Sequence, residues 1–329
     1  MAPDAWPLLA RFPALKDRLA PEPLCLLPTP VAPLPALGAG AWIKRDDLSA
    51  LPYGGNKMRK LEFVLPAIRQ QGARRVITLG ATGTNAGVAT ALMCQQAGLE
   101  CVVHTFPQPD TDTVRRNRQR MEDAGARFRA HGSLLAAALA WQFSPGRLRR
   151  RNYYLPAGCS SPPATFGYVN AALELAAQVA AGQCPAPSRI VVAAGSGATV
   201  AGLAVGCALA LPQTRVHAVQ VAPARVGPVP VCHPATIRRM AQQAWSTLCA
   251  ADPELGPLVE NWDWDEGYFG QGYGVSDERV SAAMAEAANQ GLALESTYTG
   301  KAFAAFLDDL AATPDTPVLF WHTFNSQPD

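Results

Sequence analysis

Lys57 is the side chain on which chemistry could turn. It follows a Gly-Gly-Asn turn within Tyr53-Gly54-Gly55-Asn56-Lys57-Met58-Arg59-Lys60-Leu61-Glu62, and an amphipathic pattern follows it. Glycines let a backbone approach a ligand closely because no Cβ intervenes. A lysine held in such a turn reaches into a cleft and, once desolvated, attacks a carbonyl carbon as an amine. Taken alone, the segment reads equally as a helix N-terminus with solvated basic residues. The neighbouring motifs separate the two readings.

Gly80-Ala81-Thr82-Gly83-Thr84-Asn85-Ala86-Gly87 combines glycines, hydroxyls and an amide ahead of a small-residue helix. The free N–H groups of that helix favour an anion such as a substrate carboxylate, although Thr84 and Asn85 also suit plain helix caps. Gly195-Ser196-Gly197-Ala198-Thr199 follows a β-branched run and opens another helix. Backbone N–H donors, two hydroxyls and the helix dipole converge there on a phosphate. It has neither the Gly-Lys-Ser/Thr of a Walker A loop nor a G-x-G-x-x-G fingerprint, which argues against ATP and NAD. Glu295-Ser296-Thr297-Tyr298-Thr299-Gly300-Lys301 marks a third helix start, and Gly272-Tyr273-Gly274 presents a tyrosine between glycines. His322, near the C-terminus, suits a hydrogen-bonded structural histidine better than a catalyst. A lysine, a phosphate cup, an anion-gripping turn and two presented tyrosines form one set. A reaction on an amino acid bound to pyridoxal 5'-phosphate uses all of them, the cofactor ring serving as electron sink.

The elements that must position these groups alternate along the chain. The sequence predicts strands over 41–44, 75–79, 101–105, 190–194, 216–221 and 318–321. It predicts helices over 85–96, 113–124, 166–181, 199–211, 237–250, 275–290 and 301–309. The first forty residues, rich in Pro and Leu, read as an irregular arm, and 261–268 as an aromatic, acidic stretch. This βαβ alternation predicts parallel sheets covered on both faces. Two such series predict two lobes with a small-molecule site in the cleft between them. Ile190 to Pro212 is uncharged and long enough to span a bilayer, but its 195–199 interior breaks it into strand, loop and helix.

A chain of 329 residues, 49% hydrophobic and 16% charged, fits a compact soluble protein with room for two domains. A net charge of +2 makes no electrostatic case for nucleic acid, and Arg147-Leu148-Arg149-Arg150-Arg151 reads as a solvated edge. The eight cysteines are scattered with no C-x-x-C pair, which predicts reduced thiols in the cytoplasm, no disulfide framework and no metal site. The N-terminal residues lack the pattern of a signal peptide.

Gly54-Gly55-Asn56-Lys57-Met58-Arg59-Lys60-Leu61-Glu62 resembles a motif of the D-cysteine desulfhydrase / 1-aminocyclopropane-1-carboxylate (ACC) deaminase family. These are tryptophan-synthase-β-like, fold type II pyridoxal phosphate enzymes. The resemblance runs from about Ile43 to the C-terminus. It takes in Leu155-Pro156-Ala157-Gly158-Cys159-Ser160-Ser161, Gly167-Tyr168-Val169, the run from Gly195 to Leu203, Tyr273, Tyr298-Thr299-Gly300-Lys301-Ala302 and His322-Thr323. It implies an α/β fold of two domains, each an open, mostly parallel twisted sheet flanked by helices. Residues 1–50 and 165–329 would form a large cofactor-binding domain and 51–164 a small one.

The resemblance also implies roles. Lys57 is the expected Schiff-base lysine and proton carrier. Asn85 is expected at the cofactor's phenolic oxygen, Gly195, Ser196, Gly197, Ala198 and Thr199 at its phosphate, and Thr323 facing its pyridine nitrogen. A neutral hydroxyl there would not hold the ring nitrogen protonated, which suits elimination and deamination better than transamination. Lys57, Thr84, Tyr273 and Tyr298 make the expected catalytic set, with Asn56, Thr82, Gly83, Thr84 and Ser160 at the substrate. The chain departs from the family at Thr84, where serine is usual, and at Ala86, where a histidine is found. Phe324-Asn325 replaces Gly-Gly, and Thr299 stands where ACC deaminases carry Glu. The expectation is a homodimeric lyase or deaminase that acts on a D-cysteine-like amino acid and releases keto acid and ammonia. A specialised β-replacement or unusual elimination is the alternative, and a non-catalytic amino-acid-binding homologue the third reading.

Overall fold

The computed structural model describes residues 5–327. The chain begins with two short helices, α1 (Pro7–Arg11) and α2 (Lys16–Leu19), then two strands, β1 (Val31–Pro33) and β2 (Ala41–Lys44). A first alternating series follows: α3 (Asn56–Gln70), β3 (Arg75–Ala81), α4 (Asn85–Ala97), β4 (Glu100–Phe106), α5 (Asp112–Asp123), β5 (Arg127–Ala130), α6 (Leu134–Gln142) and β6 (Asn152–Tyr154). A second runs through α7 (Pro162–Ala180), β7 (Arg189–Ala194), α8 (Ala198–Ala210), β8 (Arg215–Gln220) and a hairpin of β9 (Arg225–Val226) and β10 (Val229–Pro230). It ends with α9 (Pro234–Ala251), β11 (Trp262–Asp265), α10 (Glu278–Asn289), α11 (Thr299–Ala312) and β12 (Val318–Trp321).

Two sheets organise these elements. One has four parallel strands in the order β5-β4-β3-β6. The other has six, in the order β1-β2-β12-β7-β8-β11, all parallel except β1, which runs antiparallel to β2. Central parallel strands are covered on both faces, so they read as continuous apolar runs. Alternation along them decides which core each residue joins. Ile190, Val192 and Ala194 of β7 and Leu319 and Trp321 of β12 enter one apolar cluster, with α7, α8 and α9. Val191, Ala193, Val318 and Phe320 enter the opposite one, with Phe303 and Phe306 of α11. A third cluster joins α3 and α4 to the four-stranded sheet.

Three segments differ from the sequence reading. The Pro-rich arm contains α1 and α2, because Leu8, Phe12, Leu15 and Leu19 form an apolar stripe at helical spacing that packs into the core. The stretch 261–268 contributes an edge strand, β11, whose Trp-Asp-Trp-Asp is a period-2 pattern. The segment 127–142 supplies β5 and α6. Ile190 to Pro212 resolves into β7, a turn and α8, and among the described residues no helix is long and apolar enough to cross a membrane.

Candidate active site

A cavity of about 870 Å³ opens at the carboxyl ends of β3, β4 and β7, lined there by Ala81, Phe106 and Ala194. Carboxyl ends of parallel strands are where open α/β sheets bind ligands. Four helices point their N-terminal turns into this space, through Asn56 of α3, Asn85 of α4, Thr199 of α8 and Thr299 of α11. Each helix start carries unpaired N–H groups and the positive end of a dipole. The cavity is therefore suited to anions before any charged side chain is counted.

Lys57 is delivered by a turn that only glycine can make. A Cβ on Gly54 would lie 2.1 Å from the Asp47 carbonyl oxygen, and Gly55 has a φ of +94°. Backbone and side-chain bonds fasten the turn: Gly54 N–H donates to Asn325 Oδ1 (2.7 Å), Gly55 N–H to the Asp46 carbonyl (2.7 Å) and Asn56 N–H to the Thr323 carbonyl (3.0 Å). Lys57 Nζ donates to Asn56 Oδ1 (2.7 Å), and Asn56 Nδ2 donates to Thr199 Oγ1 (3.2 Å), which links the amine to the start of α8. Burial lowers the Lys57 pKa below the ordinary lysine value, opposed in part by Cys159 and Glu295. Desolvation disfavours the ammonium and so favours the nucleophilic amine.

Behind Lys57 lies a buried ion network. Arg59 reaches Asp46 (2.8 Å) and Glu174 (2.8 Å), and Lys44 reaches Glu174 (2.6 Å). Tyr168 and Trp321 both donate to Asp46 Oδ2 at 2.7 Å. Two cations thus meet two carboxylates with their remaining lone pairs satisfied. The network anchors the first turn of α3 to β2, α7 and β12, and so fixes where Lys57 begins.

The segment expected to form the phosphate cup lies at the start of α8. Gly197 adopts a φ of +88°, and Ser196 Oγ is held by Ser160 Oγ at 2.6 Å. Lys60 lines the same cavity beside it, one helical turn after Lys57. It is almost completely buried, and its nearest polar partner is the Gly158 carbonyl at 3.4 Å. Burial, then the nearby Lys57 ammonium, hold its pKa well below the usual lysine value. Asn85 Oδ1 accepts from Asn117 Nδ2 (2.6 Å) and the Tyr53 hydroxyl (3.2 Å), which leaves its Nδ2 as the group free to donate into the cavity.

Thr84 caps α4: its Oγ1 accepts from Gly87 N–H at 3.3 Å, while the residue also lines the cavity. Tyr273 and Tyr298 bond hydroxyl to hydroxyl with rings edge to face, 5.9 Å between centroids. Burial pushes Tyr273 up to about 12 and raises Tyr298 too, the Tyr273 phenol adding to the latter, so both stay protonated at neutral pH. Glu295 accepts from the Thr297, Tyr298 and Thr299 N–H groups at 2.8–2.9 Å, and burial raises its pKa.

The structure gathers Asn56, Lys57, Thr84, Asn85, Gly195, Ser196, Gly197, Thr199, Tyr273, Tyr298 and Thr323 around one cavity. Four other expected site residues lie off its lining. The Thr82 hydroxyl turns to the Phe106 carbonyl (3.1 Å), and Gly83 packs on Val114, where a Cβ would lie 2.6 Å from its Cα. Ala198 is buried in the first turn of α8, and Ser160 acts on the cup only through Ser196. Phe324 lines the cavity, and His322 bonds the Ala293 carbonyl at 3.1 Å through Nε2, as a structural histidine would. Lys60 and Glu295 also line it but were not singled out from sequence. Lys60 had a usable signal, since its i+3 spacing from Lys57 puts both on one helix face.

Pyridoxal 5'-phosphate fits this donor set. Its aldehyde needs an amine, which Lys57 would supply. Its phosphate needs several donors, which the α8 N-terminus, the Ser196 and Thr199 hydroxyls and Lys60 would supply. Its phenolic oxygen needs one neutral donor, and Asn85 Nδ2 would be that group.

Comparison with known proteins points to the same cofactor. Residues 24–323 match the family described as pyridoxal-phosphate dependent enzyme. The chain is 33% identical over 332 residues to the D-cysteine desulfhydrase of Salmonella choleraesuis (strain SC-B67), covering 96% of this chain and 94% of that protein. A crystal structure of an ACC deaminase homologue superposes with a TM-score of 0.77 at 28% identity, covering 99% of this chain and 96% of the other. A fungal L-serine ammonia-lyase from Rhizomucor miehei shares the fold, with a TM-score of 0.65 at 18% identity over 93% of this chain and 96% of the other. The chain belongs to the pyridoxal-phosphate dependent enzyme family.

Proposed function

We propose that the protein is a pyridoxal phosphate-dependent lyase or deaminase. It would eliminate a β-substituent from a small, D-cysteine-like amino acid and release the keto acid and ammonia. The observation that carries this is Lys57, a buried amine of lowered pKa among four converging helix N-termini and beside a phosphate cup. The kinship with D-cysteine desulfhydrase and with an ACC deaminase homologue supports the same class. When bound, the cofactor supplies an electron sink for the charge left on the α-carbon.

This chain's own residues do the rest. Lys57 Nζ takes the α-proton, and burial, which lowers its pKa, favours the neutral amine that acts as the base. The start of α4 holds the substrate carboxylate, with Asn56 and Thr84 beside it. Thr84 accepts from Gly87 N–H and keeps its own hydroxyl proton to donate. The hydrogen-bonded phenols of Tyr273 and Tyr298 form a relay that hands a proton to the departing group. Thr323 offers the ring nitrogen a neutral hydroxyl.

A second reading, β-replacement or an unusual elimination, draws support from Phe324, whose bulky apolar side chain lines the cavity. Product analysis separates the two: pyruvate and ammonia in equal amounts mark hydrolytic elimination. The test of the main reading is Lys57→Ala, assayed for pyruvate from D-cysteine and β-chloro-D-alanine. A loss of about 10²–10⁴-fold or more is expected for a missing proton carrier, and full retained activity overturns the reading. On the same footing we read residues 1–50 and 165–329 as the large domain and 51–164 as the small one. The assignment of the four- and six-stranded sheets to those ranges supports that division. We also read the enzyme as a cytoplasmic homodimer acting on a small amino acid, without nucleic-acid or membrane partners.

A further inference from the structure

The cavity is larger than a cofactor and a cysteine-sized substrate require, and its surplus has a distinct composition. At about 870 Å³ it lies near the top of the range of roughly 300–1,000 Å³ that accommodates drug-sized ligands. Outward from Lys57 it continues into a lobe walled by α6 and by the β9–β10 hairpin. Leu134, Leu135, Leu139 and Trp141 line it from α6, and Val226 and Val229 from the hairpin. The cavity's charged side chains are Lys57, Lys60 and Glu295; among the described residues neither α6, whose polar contribution is Gln142, nor the hairpin lines it with a charged side chain.

The lobe is built rather than incidental. A Cβ on Gly227 would lie 3.7 Å from Leu135 Cδ1, so the hairpin tip meets α6. A second bridge joins Gly274 to Pro109, with a Cβ on the glycine 3.4 Å from Pro109 Cδ. Trp141 is a fixed wall: its Nε1 donates to the Ile77 carbonyl at 3.1 Å, its ring meets Tyr154 edge-on, and the Arg147 guanidinium sits 4.2 Å from its centroid. Leu135 and Leu139 nonetheless remain 48% exposed and Val229 57%, the open face of an apolar pocket awaiting an apolar group. Such a surface gains nothing from a free thiol or a charged β-substituent, and gains in proportion to the apolar area it covers.

We propose that the preferred substrate is an S-alkyl or S-aryl cysteine whose apolar sulfur substituent sits in the lobe between α6 and the hairpin. This rests on the elimination reading above. The step balances without any further reagent than water. The α-proton passes to Lys57, the electron pair left on the α-carbon becomes the new Cα–Cβ π bond, and the Cβ–S pair leaves with sulfur, which is protonated to the thiol. Water then releases the nitrogen. One S-substituted cysteine and one water give one thiol, one pyruvate and one ammonium ion.

The experiment is a chain-length series. S-methyl-, S-propyl-, S-hexyl- and S-benzyl-α-methylcysteine, each as both enantiomers, lack the α-proton that Lys57 must take and so report binding alone. Their affinities for the holoenzyme are measured by calorimetry, and kcat/KM is measured for the parent S-substituted cysteines and for D-cysteine. Affinity is expected to rise about fourfold per added methylene in the short members. The Leu139→Glu variant is expected to lose at least tenfold on the S-hexyl compound and to flatten the series. An affinity independent of chain length, or a slope unchanged in Leu139→Glu, overturns the proposal. So does a flat series in Leu139→Glu that accompanies a change in oligomeric state, since α6 would then face a second copy of the chain. If no cysteine derivative is turned over, the elimination reading fails, and the calorimetric slope still decides the lobe.

Discussion

Arg59 and Lys60 are adjacent on α3, equally buried and equally cationic by composition, yet they live in opposite environments. Arg59 faces Asp46 and Glu174 and makes five hydrogen bonds to them and to Thr29. Lys60 faces the cavity with one long contact to a carbonyl, and among the described residues no carboxylate pairs with it. A single residue's step around the helix therefore separates a cation that the fold consumes from an amine that the fold leaves available. A buried ionic group without a partner is costly, so a protein keeps one where a ligand completes it. The helix anchors itself on one face and offers Lys57 and Lys60 on the other.

The largest effect is expected where that anchoring is broken. Glu174→Gln leaves the Arg59 and Lys44 cations buried against the single carboxylate of Asp46. Removing one partner of such a network costs about 3–5 kcal/mol, readable as a fall in the chemical-denaturation midpoint at constant slope. A near-silent Glu174→Gln would mean that the comparison with Lys60 has no energetic content.

Glu62, on the same helix, is an intermediate case: a buried carboxylate that accepts from the Leu24 and Cys25 N–H groups at 3.1 and 3.0 Å. Burial pushes its pKa up from 4.5 to about 7. A raised carboxylate pKa means that the folded state favours the neutral acid. Its stabilising contribution is complete below pH 4.5 and is lost as pH rises through about 7. Stability should thus decline by up to about 3 kcal/mol across that window, and Glu62→Gln should flatten the decline. A profile identical in the two proteins would place the titration elsewhere.

Lys60→Met tests the other side of the comparison. It removes a buried amine that has no carboxylate partner among the described residues, so the unfolding midpoint should hold or rise. The affinity of the cofactor-free protein for pyridoxal phosphate should fall about ten- to a hundredfold, as expected for losing charge-assisted hydrogen bonds of roughly 1.5–3 kcal/mol. Absorbance titration reads this directly. A lowered midpoint with unchanged cofactor affinity would move Lys60 to the structural side.

Much of this arrangement was legible before the structure. The runs Ile190-Val191-Val192-Ala193 and Val318-Leu319-Phe320-Trp321 announce strands buried on both faces, and small hydroxyl-bearing turns announce helix starts that hold anions. The α1–α2 stripe was masked by prolines, whose local signal outweighed an apolar spacing of four, three and four residues. β11 hid because alternating Trp and Asp look like composition bias rather than a half-buried edge. α6 carries no amphipathic stripe at all, since Leu135 and Leu139 face a cavity instead of a core. Motif membership alone does not tell where Thr82, Gly83 and Ser160 make their contacts: each sits within a diagnostic stretch, and its contacts run to β4, Val114 and Ser196. Only folding decides which members of a polar turn point inward.

Thr84 is where the two kinds of role meet in one side chain, and its expected effect on stability is small. Its Oγ1 satisfies the Gly87 N–H at the start of α4, and it fits closely enough that a Cβ on Gly80 would lie 2.4 Å from that oxygen. A cap of this kind contributes about 1 kcal/mol, so Thr84→Ala should lower stability by roughly that amount. Thr84→Ser retains the hydroxyl and should hold the midpoint, while its missing methyl opens a little space beside the substrate. If the hydroxyl only caps, kcat/KM should follow stability in both variants and change little at a temperature where each is folded. If it also donates to the substrate, Thr84→Ala should lose about ten- to a hundredfold in kcat/KM while Thr84→Ser keeps most of it, because the unpaired substrate group, and not the helix, then bears the loss.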